Sequence, residues 1–282
     1  MLTVAIPAVI GISVGVGLYL SIGWWGFLIL FPWIGTSIST GIMIRKRMPP
    51  ERRDFGRKVS ISLIAPSLLL FVPIANSENL QIEGAVLLLS IGSFSKGVVH
   101  YAIAKIFGPL IWGRGYCGWA CWTAAATEWL PLNNRKRIIT DKVKRLRYIA
   151  LVLSVGIPLL LVVSLSYDVK TQYLHKQELA WMLTGNALYY ALSFALAYYY
   201  QDKRAFCKVA CPVAMIMKIP SQYSLLRRKP TGEECVSCGK CNETCVMDID
   251  IMSYISKGMS VQSTECIFCN NCVSQCPVGA IK

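Results

Sequence analysis

The chain has 282 residues, of which 54% are hydrophobic and 16% charged, a composition that excludes an ordinary soluble domain and indicates a membrane protein. Its formal net charge of +14 would also suit a nucleic-acid-binding protein. However, the segments 45–58, 135–147 and 201–229 each hold seven of the 29 Lys and Arg residues, and they lie between apolar segments. This pattern is typical of cytoplasmic loops under the positive-inside rule, so nucleic acid is excluded as a partner.

The apolar segments predict about six transmembrane helices in a mostly α fold. Residues 1–44 carry no charged side chain and are long enough to cross the bilayer twice, so we predict a transmembrane hairpin that turns near residues 21–27. The other spans are predicted at about 59–75, 84–108, 148–166 and 179–200. With the basic loops inside, the chain is expected in the cytoplasmic (inner) membrane of a prokaryote, with both termini in the cytoplasm.

Two segments ninety residues apart share one pattern. Residues 114–121 read Arg-Gly-Tyr-Cys-Gly-Trp-Ala-Cys, and residues 204–211 read Arg-Ala-Phe-Cys-Lys-Val-Ala-Cys; we call them the first and the second Cys motif. Each follows a basic segment, a span, a short outer loop and a second span. We therefore predict a parallel internal repeat of residues 45–134 and 135–229, followed by a cytoplasmic domain at 230–282.

The four cysteines of these motifs are predicted metal ligands: Cys117, Cys121, Cys207 and Cys211. A pseudo-two-fold axis between the repeats would let the two pairs converge, and four thiolates suit one shared iron–sulfur cluster, either [4Fe–4S] or [2Fe–2S]. The i, i+4 spacing would put both sulfurs of a pair on one helical face. Two alternatives stay open: each pair completes a separate metal site, or the cysteines form a redox dithiol or serve packing alone.

Arginine and tryptophan residues flank the Cys motifs. Arg114 and Arg204 precede the cysteine pairs at equal offsets, and they either stabilise an anionic cluster or lie at the interface as positive-inside residues. Four tryptophans near the first motif predict an interfacial aromatic belt that also shields the cluster: Trp112, Trp119, Trp122 and Trp129.

The C-terminal segment has a more specific pattern, Cys235-x-x-Cys238-x-x-Cys241-x-x-x-Cys245 and then Cys266-x-x-Cys269-x-x-Cys272-x-x-x-Cys276-Pro277. In two-cluster ferredoxins with this spacing, the fourth cysteine of each run binds the other cluster. We therefore predict a small α+β domain with two [4Fe–4S] clusters. One is assigned to Cys235, Cys238, Cys241 and Cys276, and the other to Cys266, Cys269, Cys272 and Cys245. A pair of zinc sites, the alternative, usually takes paired Cys-x-x-Cys elements.

Two ionisable residues lie within the predicted fourth span. Lys96 and His100 are at i, i+4, and Lys96 falls roughly at mid-bilayer. Ionisable groups at that depth usually face a cavity, a partner or a proton path, so a quinone site or proton relay is one interpretation. The other is a lysine that snorkels or pairs within the bundle. Covalent haem is excluded because no Cys-x-x-Cys-His occurs.

The paired Cys-x-x-x-Cys motifs, together with Cys-Val-Met-Asp-Ile-Asp at 245–250 and Cys-Pro-Val-Gly-Ala-Ile at 276–281, resemble the NapH/NosR-type membrane iron–sulfur proteins. That family includes the quinol dehydrogenase membrane subunit of periplasmic nitrate reduction. The resemblance covers most of residues 84–282. Family motifs read Cys-x-x-x-Cys-Pro, as at Pro212, whereas Trp122 follows the first motif.

The resemblance implies a membrane-bound electron-transfer subunit with three iron–sulfur clusters. Its expected partners are the lipid membrane, other redox subunits, ferredoxin or a flavoprotein on the cytoplasmic side, and a membrane quinone or an extracytoplasmic redox partner. Two alternative functions stay open: a metal reductase for cofactor maturation, and a redox-sensing or anchoring subunit without turnover of its own. The metal reductase would need an exposed soft-metal site, yet no Met-rich or His-rich outer loop is visible.

Overall fold

The structure is a computed structural model that describes residues 2–77, 79–92, 94–132, 137–165 and 172–282. These residues are mostly helical. The helices are α1 (Leu2–Ile22), α2 (Phe27–Arg47), α3 (Asp54–Pro66), α4 (Val72–Asn76), α5 (Ile82–Ser90), α6 (Lys96–Tyr101), α7 (Gly108–Trp112), α8 (Gly115–Trp119), α9 (Trp122–Thr127), α10 (Asp141–Lys144), α11 (Leu146–Leu165), α12 (Gln172–Tyr200), α13 (Ala205–Val209), α14 (Pro212–Ser221), α15 (Lys240–Glu243), α16 (Ile251–Ile255) and α17 (Asn271–Gln275).

The C-terminal domain lacks the strands that an α+β fold would have. Within the part of the chain that the structure describes, β pairing is limited to one isolated antiparallel bridge between Pro230 and Ile281. The cysteine runs leave only short segments between ligands, which form turns and the one-turn helices α15 to α17. The prediction of an α+β domain is therefore corrected to a helical one.

Five helical segments in the described residues are long and apolar enough to cross a membrane, which indicates a membrane protein: Val4–Ile22, Phe27–Arg47, Pro50–Ala75, Asp141–Ser164 and Gln177–Tyr200. The end of the predicted span at residue 166 and part of the predicted outer loop, 167–171, lie outside the described residues. The rest of that loop is helical, because α12 already begins at Gln172.

The predicted fourth span is not one continuous helix. α5 and α6 are separate helices, and only the shorter apolar segment Gly97–Trp112 follows the break. Gly92 has a left-handed φ of +68°, which interrupts the helical path. Ser95 caps α6, where its hydroxyl accepts a hydrogen bond from the Val98 amide at 3.4 Å. Apolar composition does not reveal such a break, so the prediction of one continuous span at about 84–108 is wrong, and the count of about six spans stays a prediction.

The helix that follows this break passes through Pro109, where we expected it to stop. A π-helical segment, Ala102–Phe107, precedes α7. Proline has no N–H to donate, and its ring crowds the carbonyl one turn earlier. The wider π turn accommodates both effects, so the helix continues to Trp112.

The chain forms two compact units. The first comprises Met1–Ala65, Gly108–Cys121 and Lys218–Lys282, and the second comprises Pro66–Phe107 and Trp122–Met217. The predicted domain boundaries after residues 44, 134 and 229 stay a prediction.

The first unit contains the α1–α2 hairpin, whose helices pack through glycine. A Cβ atom on Gly11 would lie 2.4 Å from the Phe31 carbonyl oxygen, and one on Gly35 would lie 2.4 Å from the Pro7 carbonyl oxygen. Small residues at these crossings let the helix backbones approach closely, as in membrane helix pairs.

The second unit has its core where α5 packs on α11. Ile82, Ala85 and Tyr101 form a buried cluster, against which Leu151 and Val155 of α11 pack. These residues are three apart along α5 and four apart along α11, the spacing of one helical face, so each helix buries one apolar face here.

Candidate metal centres

One cavity of the C-terminal domain is lined by four cysteines, Cys245, Cys266, Cys269 and Cys272. We call it the Cys266 cavity. Most of the other lining side chains are apolar, among them Met247, Ile249 and Val261, and Arg228 also lines the cavity. These are the four cysteines that the spacing assigns to one cluster.

A second cavity, the Cys235 cavity, is lined by Cys235, Cys238, Cys241 and Cys276. Its other walls are also apolar and include Met252, Ile255 and Val278. Cys238 is exposed, whereas Cys245 and Cys272 of the other cavity are buried. Solvent therefore reaches Cys238 more readily than Cys245 or Cys272.

The two ligand loops have the same backbone turns. The residues before and after the second cysteine of each run have a left-handed φ: Ser237 (52°), Gly239 (74°), Phe268 (55°) and Asn270 (65°). Left-handed turns aim successive amides toward one point, an arrangement that suits an anionic group. Two amides donate directly to cysteine sulfur: Ile249 N to Cys245 Sγ at 3.4 Å and Ala280 N to Cys276 Sγ at 3.2 Å.

Burial favours the protonated form of three thiols that line the Cys266 cavity. It raises the pKa of the Cys266 thiol to about 11, and it raises the pKa of Cys269 and Cys272 as well. Burial also lowers the pKa of Arg228, although the nearby cysteines Cys266 and Cys272 act in the opposite direction. Ligation of iron must therefore release protons from these thiols.

The donor set fits an iron–sulfur cluster better than a single ion. Within the described parts of the chain, no group of three or more His, Cys, Asp or Glu side chains is arranged to hold one metal ion. Each cavity instead carries four thiols around an apolar space, and four cysteine thiolates are the ligand set of a [4Fe–4S] cluster.

The first and the second Cys motif have the same local structure, which differs from the expected single helix. Cys117 lies in α8 and Cys207 in α13, but both helices end before the second cysteine. The residues that end them, Ala120 and Ala210, have nearly equal dihedral angles of φ −136°, ψ −5° and φ −132°, ψ −6°. The prediction that both sulfurs lie on one face of a helix is therefore wrong, because the chain turns between the two cysteines.

Trp122 occupies the position of the missing proline without changing this turn. It is the first residue of α9, and Pro212 is the first residue of α14. The first residue of a helix needs no amide donor, so both residue types fit there. Trp122 is 7% exposed, and its indole N–H donates to Asn186 Oδ1 at 2.7 Å. Trp122 thus differs from Trp112 and Trp129, which are 42% and 49% exposed, as expected for a belt.

Arg114 and Arg204 are fully buried and begin the two Cys motifs. Each pairs with a glutamate: Arg114 with Glu265 in the first unit, and Arg204 with Glu128 in the second. Both guanidinium groups are buried within the protein, and the interpretation that they lie at the membrane interface stays a prediction. Whether they also stabilise a cluster stays a prediction.

The first Cys motif contacts the ligand loop of the Cys266 cavity directly. The Trp119 indole N–H donates to the Phe268 carbonyl oxygen at 3.0 Å. Gly118 lies against the Ile267 carbonyl, where an added Cβ would be only 2.1 Å from the oxygen. Two predicted ligands, Cys117 and Cys266, therefore lie on backbone segments that touch.

Two arginines of the basic segment 45–58 hold the same region together. Arg57, fully buried, donates to Asp54 Oδ1 at 2.7 Å and to the Gly118 carbonyl at 3.0 Å. Arg45 donates to the carbonyl oxygens of Cys269 at 3.2 Å and Asn270 at 2.7 Å. The sequence indicated only a cytoplasmic loop for this segment, and nothing in the pattern distinguished these two arginines from their neighbours.

The predicted shared cluster draws on both units. Cys117 and Cys121 belong to the first unit, and Cys207 and Cys211 belong to the second. Shared ligation by the four cysteines stays a prediction.

His100 is buried, whereas the side chain of Lys96 lies outside the described part of the structure. Lys105 is buried near His100, and its ammonium lies 5.3 Å from the ring centroid of Trp122. The sequence did not distinguish Lys105, which lies five residues after His100.

A buried carboxylate–phenol pair also escaped the sequence analysis. The Tyr189 hydroxyl of α12 donates to Glu83 Oε1 at 2.5 Å and lies 3.3 Å from the Ser154 hydroxyl. Its ring packs on Phe206, the residue before Cys207, with centroids 5.6 Å apart. Glu83 and Glu178 line one small cavity. Both residues lie just outside the predicted spans at about 84–108 and 179–200. The only signal in the sequence is an acidic residue beside a long apolar segment.

Comparison with known protein families gives two matches. A family model described as a 4Fe–4S dicluster domain matches residues 234–281. A second, described as a 4Fe–4S binding domain, matches residues 102–139 and 187–231, the two segments that contain the Cys motifs. No solved structure matches the chain.

Three curated proteins are similar along most of the chain. The uncharacterised proteins MJ0749 and MJ0750 of Methanocaldococcus jannaschii are 28% and 29% identical, over 80% and 66% of this chain and 85% and 80% of their own. The "Putative electron transport protein YccM" of Escherichia coli is 23% identical over 74% of this chain, which spans 61% of that protein. Together with the 4Fe–4S domains, these similarities identify the chain as an iron–sulfur electron-transfer protein.

Proposed function

We propose that the chain is a membrane subunit that passes electrons between cytoplasmic redox partners and a membrane quinone or an extracytoplasmic partner. The observation that carries this proposal is the contact between the ligand loop 266–269 and the first Cys motif. A ferredoxin domain with no redox role in the membrane would not need its ligand loop against a second cysteine site.

The ligands of two clusters are the cysteines that line the two C-terminal cavities. When bound, [4Fe–4S] clusters accept and release single electrons. The protein supplies the thiolates, the amide donors at Cys245 and Cys276, and apolar walls that exclude water. The exposed position of Cys238 suits exchange with a soluble carrier such as a ferredoxin or a flavoprotein.

A third cluster, shared by Cys117, Cys121, Cys207 and Cys211, completes the proposal. The equal backbone geometry of the two Cys motifs supports it, since two like half-sites suit one symmetric cluster. Two matches of one 4Fe–4S family model to the two segments support a parallel repeat. In this scheme the buried Arg114 and Arg204 place guanidinium groups near the thiolates, while Glu265 and Glu128 hold these groups in position.

Quinone chemistry also needs a group that exchanges protons. Glu83, with Tyr189 as its hydrogen-bond donor, is the best candidate, because the pair is close to the second Cys motif through Phe206. His100 and Lys96 are a second candidate. The resemblance to NapH/NosR-type proteins, a location in the cytoplasmic membrane, and both termini inside belong to the same proposal.

The test uses the purified full-length protein under anaerobic conditions. Iron and acid-labile sulfide should correspond to three clusters, and EPR of the reduced protein should show their signals. Oxidation of the reduced protein by a water-soluble quinone analogue, with uptake of protons, should restore the oxidised spectrum. A protein with intact clusters whose spectrum does not respond to any quinone analogue would eliminate the quinone.

A further inference from the structure

Positions 128 and 218 are ninety residues apart, the offset between the Cys motifs, and they hold opposite charges, Glu128 and Lys218. Glu128 pairs with Arg204, and their side chains are 3% and 1% exposed. Arg114 matches Arg204 in the repeat, so its partner by symmetry would be the residue that matches Glu128. That residue is Lys218, which cannot neutralise the Arg114 guanidinium. An unpaired buried guanidinium would strongly destabilise the fold.

Glu265 supplies the missing carboxylate from the C-terminal domain. Its Oε2 pairs with Arg114 Nη1, and its Oε1 lies 2.9 Å from Lys218 Nζ. The Arg114 side chain is fully buried and Glu265 is 22% exposed. Glu265 immediately precedes Cys266, so the carboxylate that bridges the two cations also fixes the start of the ligand loop.

The next residues of the ligand loop also contact positions at which the first and the second Cys motif differ. Gly118 packs against the carbonyl of Ile267, and the Trp119 indole N–H donates to the carbonyl of Phe268. In the second motif, Lys208 matches Gly118 and is buried in an ion pair with Asp202. Val209 matches Trp119 and has no side-chain donor. Neither could make these contacts.

We propose that Glu265 is a positioning residue that docks the ligand loop 266–269 on the first Cys motif by bridging Arg114 and Lys218. This inference rests on the proposed function, because it assigns the place where the ferredoxin domain meets the membrane site. Glu265 acts through the two cations and through the loop; it binds no iron itself. The asymmetry at positions 118, 119 and 218 identifies the first motif as the docking copy.

Hydrogen–deuterium exchange of the full-length, iron-loaded protein tests the proposal. Exchange in the loop 265–270 should be about tenfold faster in Glu265→Gln than in the wild type, because the bridge no longer opposes local opening. Glu233→Gln, which removes an exposed acid of the same domain, is the matched control and should leave loop exchange unchanged. Loop exchange in Glu265→Gln equal to that of the wild type would overturn the proposal.

A double variant separates positioning from simple charge balance. In Lys218→Glu combined with Glu265→Gln, Arg114 regains a carboxylate at the position that Glu128 occupies opposite Arg204. We expect the melting temperature to recover while loop exchange stays fast. If the double variant also restores slow loop exchange, Glu265 only balances charge, and the positioning role is refuted. This variant also carries the test should Glu265→Gln alone not accumulate.

The same samples distinguish this inference from the proposed function. Iron and acid-labile sulfide are measured on the wild type first. A wild type without iron–sulfur clusters would refute the proposed function, whereas dependence of loop exchange on Glu265 reports the docking contact alone. Intact clusters with Glu265-independent exchange would refute only the positioning role.

Discussion

Gly118 and Ile267 are in such close contact that a Cβ atom on Gly118 would lie 2.1 Å from the Ile267 carbonyl oxygen. Backbone atoms on both sides of this contact leave no flexible side chain that could move aside. The approach of the ligand loop to the first Cys motif therefore depends on the absence of a side chain at position 118.

Gly118→Ala should separate the loop from the motif. We expect a loss of about 1–3 kcal/mol in stability, as for other overpacked sites, and faster exchange in residues 265–270. Gly156→Ala is the matched control, because a Cβ atom there meets nothing within 4 Å in helix α11. It should leave stability unchanged or raise it slightly. Equal effects of the two substitutions on thermal unfolding in detergent would contradict the overpacking account.

Glu128→Gln should destabilise the second unit. Arg204 would then keep a buried charge without its carboxylate, at a cost of about 3–5 kcal/mol. The control is Asp141→Asn, which breaks the solvent-exposed pair of Asp141 with Lys144 and should not change the melting temperature measurably. A Glu128→Gln protein as stable as the wild type would show that water or another group replaces the carboxylate.

The sequence predicted the helical membrane architecture and the 4Fe–4S domain, because apolar length and cysteine spacing are local properties. It missed the break at Gly92 and the turn between Cys117 and Cys121, since both depend on backbone angles that composition does not record. It could not find Glu265 as the partner of Arg114, because that pairing depends on the folded chain.

The shared third cluster makes a quantitative prediction about iron. Combined replacement of Cys117 and Cys207 by Ser should remove about one third of the iron if all three clusters are [4Fe–4S], and it should leave the signals of the C-terminal clusters intact. Separate sites predict that each single replacement removes a different component of the spectrum. An unchanged spectrum in the double variant would exclude both arrangements.

Removal of iron should unfold the C-terminal domain. Segment 230–282 is too short to bury a large apolar core, so we expect ligation to contribute to its folding. A chelator under reducing conditions should make this segment accessible to protease while the membrane helices stay protected. Since burial raises the pKa of Cys266 to about 11, protons compete with iron, and the iron should be lost more readily as the pH is lowered. Loss of iron without new cleavage sites would contradict coupled folding.

Glu83→Gln and Tyr189→Phe should impair quinone-linked turnover. General acid–base groups typically contribute about 10²–10⁴-fold, so we expect a loss of at least about a hundredfold in Glu83→Gln, with unchanged cluster spectra. Tyr189→Phe keeps the ring contact with Phe206 and removes only the hydroxyl. Tyr198→Phe, at a residue 50% exposed on the same helix, is the control. Normal turnover in Glu83→Gln would exclude a proton-transfer role for this residue.

The ion pair between Arg114 and Glu265 also limits when Arg114 can reach its final contacts during synthesis of the chain. The two residues are 151 positions apart, and Glu265 follows the five helical segments of the described residues that are long and apolar enough to cross a membrane. During insertion, Arg114 cannot form this ion pair until Glu265 has left the ribosome. Chains that end before Glu265 should therefore be recognised as incomplete by membrane quality control and degraded, even though these five apolar segments have already been made.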